Sequence, residues 1–327
     1  MPLALGIPRA LLYYKYPSLW ETFFHHLGAE VIVSPPTNRR IVARAIELAE
    51  SEFCLPVKVF HGHLLELCDK VDALFIPRVV SVQKGTYTCP KFFGLPDIVA
   101  ALPVELPRLI APTINLRLGR WQFYRTLFAV GAALEKNAAR VFLAWRAAVS
   151  SQKRFAQKAR AGCTTLDILE GKADAAAFRS GGNESALTVA VVGHPYNLYD
   201  SYVSVNLIDM LRRYGVKVVV PEMLPNEAIE KHARELPKKL YWSYEREVVG
   251  AMFCWLRSRQ VDGMIYMRSF ACGPDSIVQT ILDTDCRIVG NASTISLAID
   301  EHTAEAGVIT RVEAFLDMLQ RKKVAWQ

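Results

Sequence analysis

Hydrophobic positions follow the same order of patterns in the two halves of the chain. Each half opens with an apolar run, passes through a Gly-x-Pro turn into an amphipathic helix, and reaches a glycine and a valine-rich run. The segments are LALGIPRALLYYKYPSLWETFFHHLGAEVIVSPP and LTVAVVGHPYNLYDSYVSVNLIDMLRRYGVKVVVPEM. The separation from Gly6 to Gly28 equals that from Gly193 to Gly215. These patterns predict strand–helix–strand units in which glycine ends the helix.

The similarity of the halves continues through a third predicted strand. These strands are VDALFIPRVVS and VDGMIYMRSFA, and aligning Asp72 with Asp262 places Arg78 opposite Arg268. A cysteine–proline element follows each of them, and then come the fourth predicted strands, RLIAPTI and RIVGNAS. Apolar strands that alternate with helices indicate parallel sheets covered on both faces. We therefore expect an α/β fold with an internal duplication: two similar doubly wound, Rossmann-like domains.

The predicted domains are residues 1–116 and 185–327, with a helical insert or arm over 117–184. The insert is rich in Ala, Arg and Lys with helical periodicity, and the Gly-Gly-Asn at 181–183 marks its end. Ligands bind parallel α/β sheets at the carboxyl ends of the strands. We expect the two domains to face each other across a cleft lined by these strand ends, with the insert favouring a homodimer or heterodimer.

Composition and charge are typical of a globular protein. The 327 residues are 51% hydrophobic and 22% charged, which allows two cores and excludes global disorder. The first residues do not read as a signal peptide, and no apolar run approaches the roughly 18 residues of a membrane span. The net charge of +7 is concentrated in the insert, where it indicates a solvated helix face or an attractor for acidic partners. We expect a cytoplasmic protein without membrane or nucleic-acid partners.

Three of the seven cysteines share a local setting. Cys54, Cys89 and Cys272 are each followed within two residues by a proline, and a predicted helix begins shortly afterwards. Unpaired N–H groups and the dipole at a helix start stabilise a thiolate. Three thiolates indicate a soft metal site, either iron–sulfur or zinc, and zinc would take His194 as a fourth ligand. Burial as small apolar residues is the alternative, since no CxxC or zinc-finger spacing is present.

Six segments along the chain carry a family resemblance. They are GIPRALLYYKYPSLWETFFHHLGAEVIVSP, FCLPVKVFHGH, DALFIPRVVS with YTCPKFFGLPD, GHPYNLYD, VDGMIYMRSFACGPDS and DEHTAEAGVITRVEAFLDML. In this order they resemble the acyl-CoA dehydratase activase-related proteins, also described as CoA protein activases. That family is similar to the subunits of 2-hydroxyacyl-CoA dehydratases, benzoyl-CoA reductases and double-cubane cluster proteins. The resemblance covers both predicted α/β domains and is weakest over the insert.

The resemblance implies an oxygen-sensitive iron–sulfur protein. Cys54, Cys89 and Cys272 match the positions at which the relatives bind a [4Fe-4S] cluster or half of a double-cubane cluster. A double cubane needs six cysteine ligands, and only three cysteines lie in matching motifs here, so one cluster is the simpler expectation. The chain lacks the GxxxxGK[ST] pattern of P-loop ATPases. We therefore expect the cluster-bearing partner of an activator ATPase or reductase.

The resemblance also implies a mechanism. A low-potential electron would reach the cluster from an ATP-driven reductase and support a reduction or a 2-hydroxyacyl-CoA dehydration-like reaction of an acyl-CoA or another small molecule. His194 and Tyr196 are the candidate catalytic residues, as proton or hydrogen-bond donors near the cluster. A histidine that precedes a proline can instead satisfy only loop backbone.

Four further residues are candidates for supporting the cofactor and substrate. Arg78 and Arg268 are candidates for holding a carboxylate, a thioester carbonyl or a phosphate, and the alternative for both is bridging at the sheet edge. Asp275 and Ser276 are predicted to cap the helix after Cys272 and to support that cysteine.

Two other functions stay open at the level of sequence. One is a non-enzymatic cluster carrier or electron-transfer partner of an activator ATPase. The other is a metal-free two-domain α/β transferase that uses the cleft between its domains. The metal-free function predicts a colourless protein with dispensable cysteines, whereas the cluster-dependent functions predict a brown protein.

Overall fold

Contacts divide the computed structural model into two units. Unit 1 comprises Met1–Phe155 with Leu240–Ser243, and unit 2 comprises Ala156–Lys239 with Tyr244–Gln327. The structure describes residues 1–172, 187–236, 238–289 and 293–325. The chain therefore returns briefly to unit 1 from within the sequence of unit 2.

Unit 1 is built on a four-stranded parallel sheet with the strand order β2-β1-β3-β5. Two further strands, β4 after β3 and β6 after β5, pair with each other in parallel and form a separate two-stranded sheet. The elements in chain order are β1 Ala4–Ile7, α1 Pro17–Leu27, β2 Glu30–Val33, α2 Arg39–Leu48, α3 Leu55–Leu65, β3 Ala73–Phe75, β4 Arg78–Ser81, α4 Pro90–Ala100, β5 Arg108–Ile110, β6 Thr113–Asn115, α5 Arg120–Ala133 and α6 Ala138–Arg160, whose last residues belong to unit 2.

Local sequence signals explain where the helices of unit 1 begin and end. Pro17 opens α1, and Gly28 closes it with a φ of +84°, a left-handed conformation that glycine adopts without strain. Asn38 precedes α2 and accepts hydrogen bonds from the backbone N–H groups of Arg40 and Ile41. These caps fix the chain direction on either side of the first two strands.

The core of unit 1 joins the sheet to the helical segment that follows it. Leu5, Phe24 and Phe75 are buried in one cluster with Leu127 of α5 and Ala144 of α6. The contacts thus place α5 and most of α6 with the first sheet. The three-part division at 116/117 and 184/185 stays a prediction, and the Gly-Gly-Asn at 181–183 lies outside the described residues.

Unit 2 repeats the same sheet order, β8-β7-β9-β10, again with parallel strands. Its elements are α7 Thr165–Leu169, β7 Thr188–Gly193, α8 Pro195–Leu198, α9 Leu207–Arg213, β8 Lys217–Val219, α10 Asn226–Ala233, α11 Ser243–Ser258, β9 Gly263–Ser269, α12 Gly273–Val289, β10 Ser293–Ile299 and α13 Glu305–Ala325. None of the described helices is both long and apolar enough to cross a membrane.

The internal repeat seen in the sequence extends to individual contacts. The backbone N–H of Ala4 donates to Asp72 Oδ2 at 2.9 Å, and that of Thr188 donates to Asp262 Oδ2 at 2.7 Å. In both units a helical glycine lies directly against the carbonyl of an isoleucine on the preceding helix. The predicted α/β class with parallel sheets is confirmed, while the cleft between two domains stays a prediction.

Two predicted strands differ from the structure. VDALFIPRVVS is divided into β3 and β4 at Ile76–Pro77, and β4 pairs with β6 outside the main sheet. RIVGNAS is wrong as a strand: α12 continues through Val289, and β10 begins only at Ser293. Short apolar runs do not distinguish a strand from the buried face of a helix, and here the helix that starts after Cys272 includes Arg287–Val289.

Candidate functional site

The three cysteines singled out by the sequence each lie immediately before a helix. Cys54 is the N-cap residue of α3, Cys89 is that of α4, and Cys272 directly precedes α12. A proline occupies the first or second helical position after Cys54 and Cys89. The backbone N–H groups at such a helix start have no helical acceptor and, with the dipole, favour a negatively charged group. The predicted local setting of all three thiols is therefore present.

In unit 1 a side-chain contact joins the starts of α3 and α4. The ammonium group of Lys91, two residues after Cys89, lies 3.8 Å from the ring centroid of Phe53, which precedes Cys54. The Phe53 ring also stacks on His61, with the centroids 5.9 Å apart. This cation–π contact and stack hold the two cysteine-bearing helix starts in one region of unit 1.

The chain segment before Cys89 is anchored by the part of unit 1 that comes late in the sequence. The backbone N–H of Tyr87 donates to the carbonyl of Tyr241, and that of Ser243 donates to the carbonyl of Tyr87. The hydroxyls of Thr86 and Ser243 form a buried hydrogen bond of 2.7 Å. The Cys89 turn is thus positioned by residues more than 150 positions away in sequence.

In unit 2 the turn that carries Cys272 is fixed by Asp275 and Ser276. Asp275 accepts hydrogen bonds from the Tyr266 hydroxyl at 2.8 Å and from the Ser269 backbone N–H at 3.2 Å. The Ser276 hydroxyl donates to the carbonyl of Cys272 at 3.0 Å. Asp275 is fully buried, and these two hydrogen bonds tie its carboxylate to β9. Both residues hold the cysteine turn, and direct contact with a cofactor stays a prediction.

Ala271, the residue before Cys272, has a φ of +60°. This left-handed conformation is unfavourable for a residue with a Cβ atom, and such strained positions persist only where the surroundings enforce them. The backbone on both sides of Ala271 is hydrogen-bonded: the Phe270 N–H donates to the Ile299 carbonyl, and the Cys272 N–H donates to the Ser269 carbonyl. The Cys272 thiol is therefore presented by a turn that is held in a defined, strained conformation.

His194 lies beside Asp275 in the interior of unit 2. It follows β7 and precedes the short helix α8, and its ring stacks on Tyr196 with a centroid separation of 5.0 Å. Its Nε2 atom is 3.1 Å from Asp275 Oδ1 and 3.6 Å from Glu245 Oε1. Neither ring nitrogen makes a well-directed hydrogen bond to the described residues, so the contact is an ion pair.

This charge arrangement keeps His194 protonated. Burial alone lowers the pKa of the imidazole, but the carboxylates of Asp275, Glu245 and Glu247 outweigh it and raise the pKa to about 9. For Asp275, burial raises the pKa, while the His194 charge and the hydrogen bonds to the carboxylate lower it below its usual value. A metal binds the neutral imidazole and would have to displace this proton, and the role of His194 as a fourth zinc ligand stays a prediction.

The two predicted catalytic residues lie in the interior. His194 is 1% exposed and Tyr196 is 8% exposed, so the structure brings them together but places neither on the surface. The imidazolium carries the proton that a donor role requires. A catalytic role for the pair stays a prediction.

The two aligned arginines have different surroundings. Arg78 donates to both carboxylate oxygens of Asp97, at 2.6 and 2.7 Å, and to the carbonyl of Phe93. These contacts tie β4 to α4, the helix that begins after Cys89, which agrees with the bridging alternative. Arg268 lies in β9, and its Nε atom is buried without a hydrogen-bond partner among the described residues. Of the two, Arg268 is the better candidate for binding an anionic group.

His194, Asp275, Glu245 and Tyr266 form a buried polar cluster in unit 2, and the sequence analysis did not identify the last two. Glu245 is 2% exposed and Tyr266 is fully buried, and both lie beside Asp275 or His194. Glu245 leaves a sequence signal, because it shares one helix face with Val248, Val249 and Met252, which are all buried. Tyr266 leaves none, since a tyrosine within an apolar strand is typical of ordinary core packing.

The residues present fit an iron–sulfur cluster in their chemistry: three thiols, each at a helix start. Across the described ranges, no group of three or more His, Cys, Asp and Glu side chains is spaced to hold a metal ion.

Comparison with known proteins identifies the family. No curated protein is significantly similar to the chain. A family model described as the CoA enzyme activase uncharacterised domain (DUF2229) matches residues 4–224. The match includes Cys54, Cys89 and His194, and it ends before Cys272. Because it spans about two thirds of the 327 residues, the chain belongs to the CoA enzyme activase family described by this domain.

Proposed function

We propose that the chain is an iron–sulfur protein that carries a [4Fe-4S] cluster on Cys54, Cys89 and Cys272. The observation that carries this proposal is the placement of all three thiols at the residue before a helix. Thiolates are the ligands of such clusters, and helix starts favour the negative charge of a cluster and its sulfurs. Three protein ligands leave one iron of a cubane without a protein ligand.

The proposed role is low-potential electron transfer in the reaction of a CoA enzyme. Membership of the CoA enzyme activase family supports work with a dehydratase partner. An activator ATPase or reductase would supply the electron, and the cluster would pass it on for a reduction or a 2-hydroxyacyl-CoA dehydration-like reaction. The net charge of +7 would favour association with an acidic partner or a phosphate-bearing substrate.

Other residues of the chain would prepare the site. Asp275 and Ser276 hold the Cys272 turn, and His194 places a buried positive charge in the same polar cluster. Arg268 would bind an anionic part of the substrate through its guanidinium. Arg78 would act indirectly, because its contacts with Asp97 fix the helix that begins after Cys89.

Iron and acid-labile sulfide per chain, measured after anaerobic purification, test the cluster. We expect about four of each, as one cubane requires, and absorption near 400 nm. Serine substitutions of Cys54, Cys89 and Cys272 should each lower the iron content by at least half. Cys68→Ser, a change at a partly buried cysteine of unit 1 outside the three motifs, should leave it unchanged.

Three outcomes of this measurement would change the proposal. About eight iron atoms per chain would indicate a double-cubane cluster with ligands outside the three motifs. Full iron content in Cys89→Ser would remove that residue from the ligand set. A chain without iron after cluster reconstitution would favour the metal-free α/β transferase.

Turnover separates an enzyme from an electron-transfer partner. If the reduced protein converts a 2-hydroxyacyl-CoA without another catalytic subunit, it is itself the reductase or dehydratase component. If it only transfers electrons to an added dehydratase, it is the non-enzymatic partner of the activator ATPase.

A further inference from the structure

Unit 1 contains a cavity of about 300 Å³ at the carboxyl ends of its central strands. Ile7 and Pro8 line it where β1 ends, and Phe75 and Pro77 line it where β3 ends. Parallel α/β sheets bind their ligands at this edge, and the volume is at the lower end of small-molecule sites. Every lining residue belongs to unit 1, and none of the three cysteines is among them.

The wall of this cavity is rich in aromatic rings that already contact one another. The ring centroids of Trp20 and Phe75 are 4.7 Å apart, and those of Phe123 and Trp145 are 4.9 Å apart. Trp20 and Trp145 connect the two pairs at 6.2 Å. Aromatic rings associate in tilted and edge-to-face arrangements at these separations. A further ring inside the cavity would extend an existing aromatic cluster.

The cavity offers nothing to balance an ionised ligand. None of its lining residues is charged, and the hydroxyl of Tyr13 interacts with Glu21. An ionised ligand would lose its hydration without gaining an opposite charge from the wall, which is unfavourable. The lining therefore selects an uncharged molecule.

One residue of the cavity wall, Leu11, has a strained backbone conformation, and part of the wall is exposed to solvent. Leu11 lines the cavity with a φ of +51°, in the left-handed region that disfavours a leucine. Such strain is retained at binding sites more often than elsewhere. Tyr16, Trp20 and Leu116 are only partly buried, so a ligand has access from outside.

We propose that this cavity binds an uncharged aromatic molecule of one or two rings. Phe60 of α3 and Phe92 of α4 contribute to the wall, so the ligand would pack against both helices that begin at Cys54 and Cys89. Binding itself needs no cluster, and it is therefore independent of the proposed electron-transfer function.

Isothermal titration calorimetry of the iron-free full-length chain with indole tests this site. We expect saturable binding of one indole per chain and at least tenfold weaker binding of indole-3-acetate, which carries a carboxylate. Val82→Trp, at a half-buried lining position, should fill the cavity and weaken indole binding at least tenfold. Val80→Trp, at a half-buried valine outside the lining, is the matched control and should bind as the unchanged chain does.

Each remaining result would overturn part of the proposal. Absence of saturable indole binding, or equal binding by Val82→Trp, would remove the site. Tighter binding of decanoate than of indole would reject the aromatic, uncharged ligand. If Val82→Trp does not fold by circular dichroism, Leu116→Trp replaces it at a partly exposed position of the same wall. Because iron is absent throughout, failure of the cluster proposal cannot produce any of these results.

Discussion

Because His194 is buried as a cation, we expect the stability of unit 2 to fall as the pH becomes alkaline. Its pKa is raised from 6.5 to about 9, mainly by Asp275 against the opposing effect of burial. A raised pKa in the folded state stabilises the protein fully below pH 6.5, and this contribution is lost as the pH rises through about 9. We expect the free energy of unfolding to fall by on the order of 3 kcal/mol across that interval, measured by urea denaturation at fixed pH values.

Substitution of the histidine tests the origin of this pH dependence. His194→Gln leaves Asp275 and Glu245 buried without their cation, so it should lower the free energy of unfolding by about 3–5 kcal/mol at pH 6. It should also remove most of the decline between pH 6.5 and 9. His302→Gln, at an exposed histidine of the same unit, should retain the full decline. An unchanged pH profile in His194→Gln would assign the titration to another group.

Helix pairs in the two units depend on glycines at matching positions. A Cβ atom on Gly62 of α3 would lie 2.3 Å from the carbonyl oxygen of Ile41 on α2, and one on Gly250 of α11 would lie 2.3 Å from that of Ile229 on α10. A backbone carbonyl cannot move aside as a flexible side chain can. Gly62→Ala and Gly250→Ala should therefore each lower the free energy of unfolding by about 1–3 kcal/mol, because the helices must separate.

The matched control is a glycine inside α4, the helix that begins after Cys89. A Cβ atom on Gly94 would meet only Ile98 Cδ1 at 3.8 Å, an ordinary contact. Gly94→Ala should raise the free energy of unfolding by about 0.5–1 kcal/mol, because alanine is the better helix former. Equal destabilisation of all three variants would show that close helix approach is not the cause.

Most helices and strands could be predicted from the sequence, because apolar runs, glycine caps and prolines act locally. They predicted the repeated parallel sheets and the helix starts after the three cysteines. The polar cluster around His194 could not be predicted in full, because Asp275, Glu245 and Tyr266 meet only when three separate elements pack together. The extension of α12 through Val289 was missed for the same reason: tertiary packing decides between helix and strand for a short apolar run.

The family match and the folding unit do not have the same bounds. The match ends at residue 224, after β8, whereas the unit 2 sheet continues into β9 and β10. The order β8-β7-β9-β10 places β7 inside the sheet, paired on both sides. Residues 4–224 therefore contain the whole first sheet but only half of the second. A sequence-defined domain here is not a structural unit.

A chain cut after residue 224 should consequently fail to fold its second half. Removal of β9 would expose one edge of β7, whose residues Val189–Val192 are fully buried in the intact protein. An unpaired apolar strand of this kind promotes aggregation. We expect residues 1–224 to be recovered as aggregates, measured by size-exclusion chromatography, whereas residues 1–325 remain monodisperse. A monodisperse 1–224 fragment with slow amide exchange in β7 would contradict this expectation, because it would mean that β7 needs neither β9 nor the helices that follow.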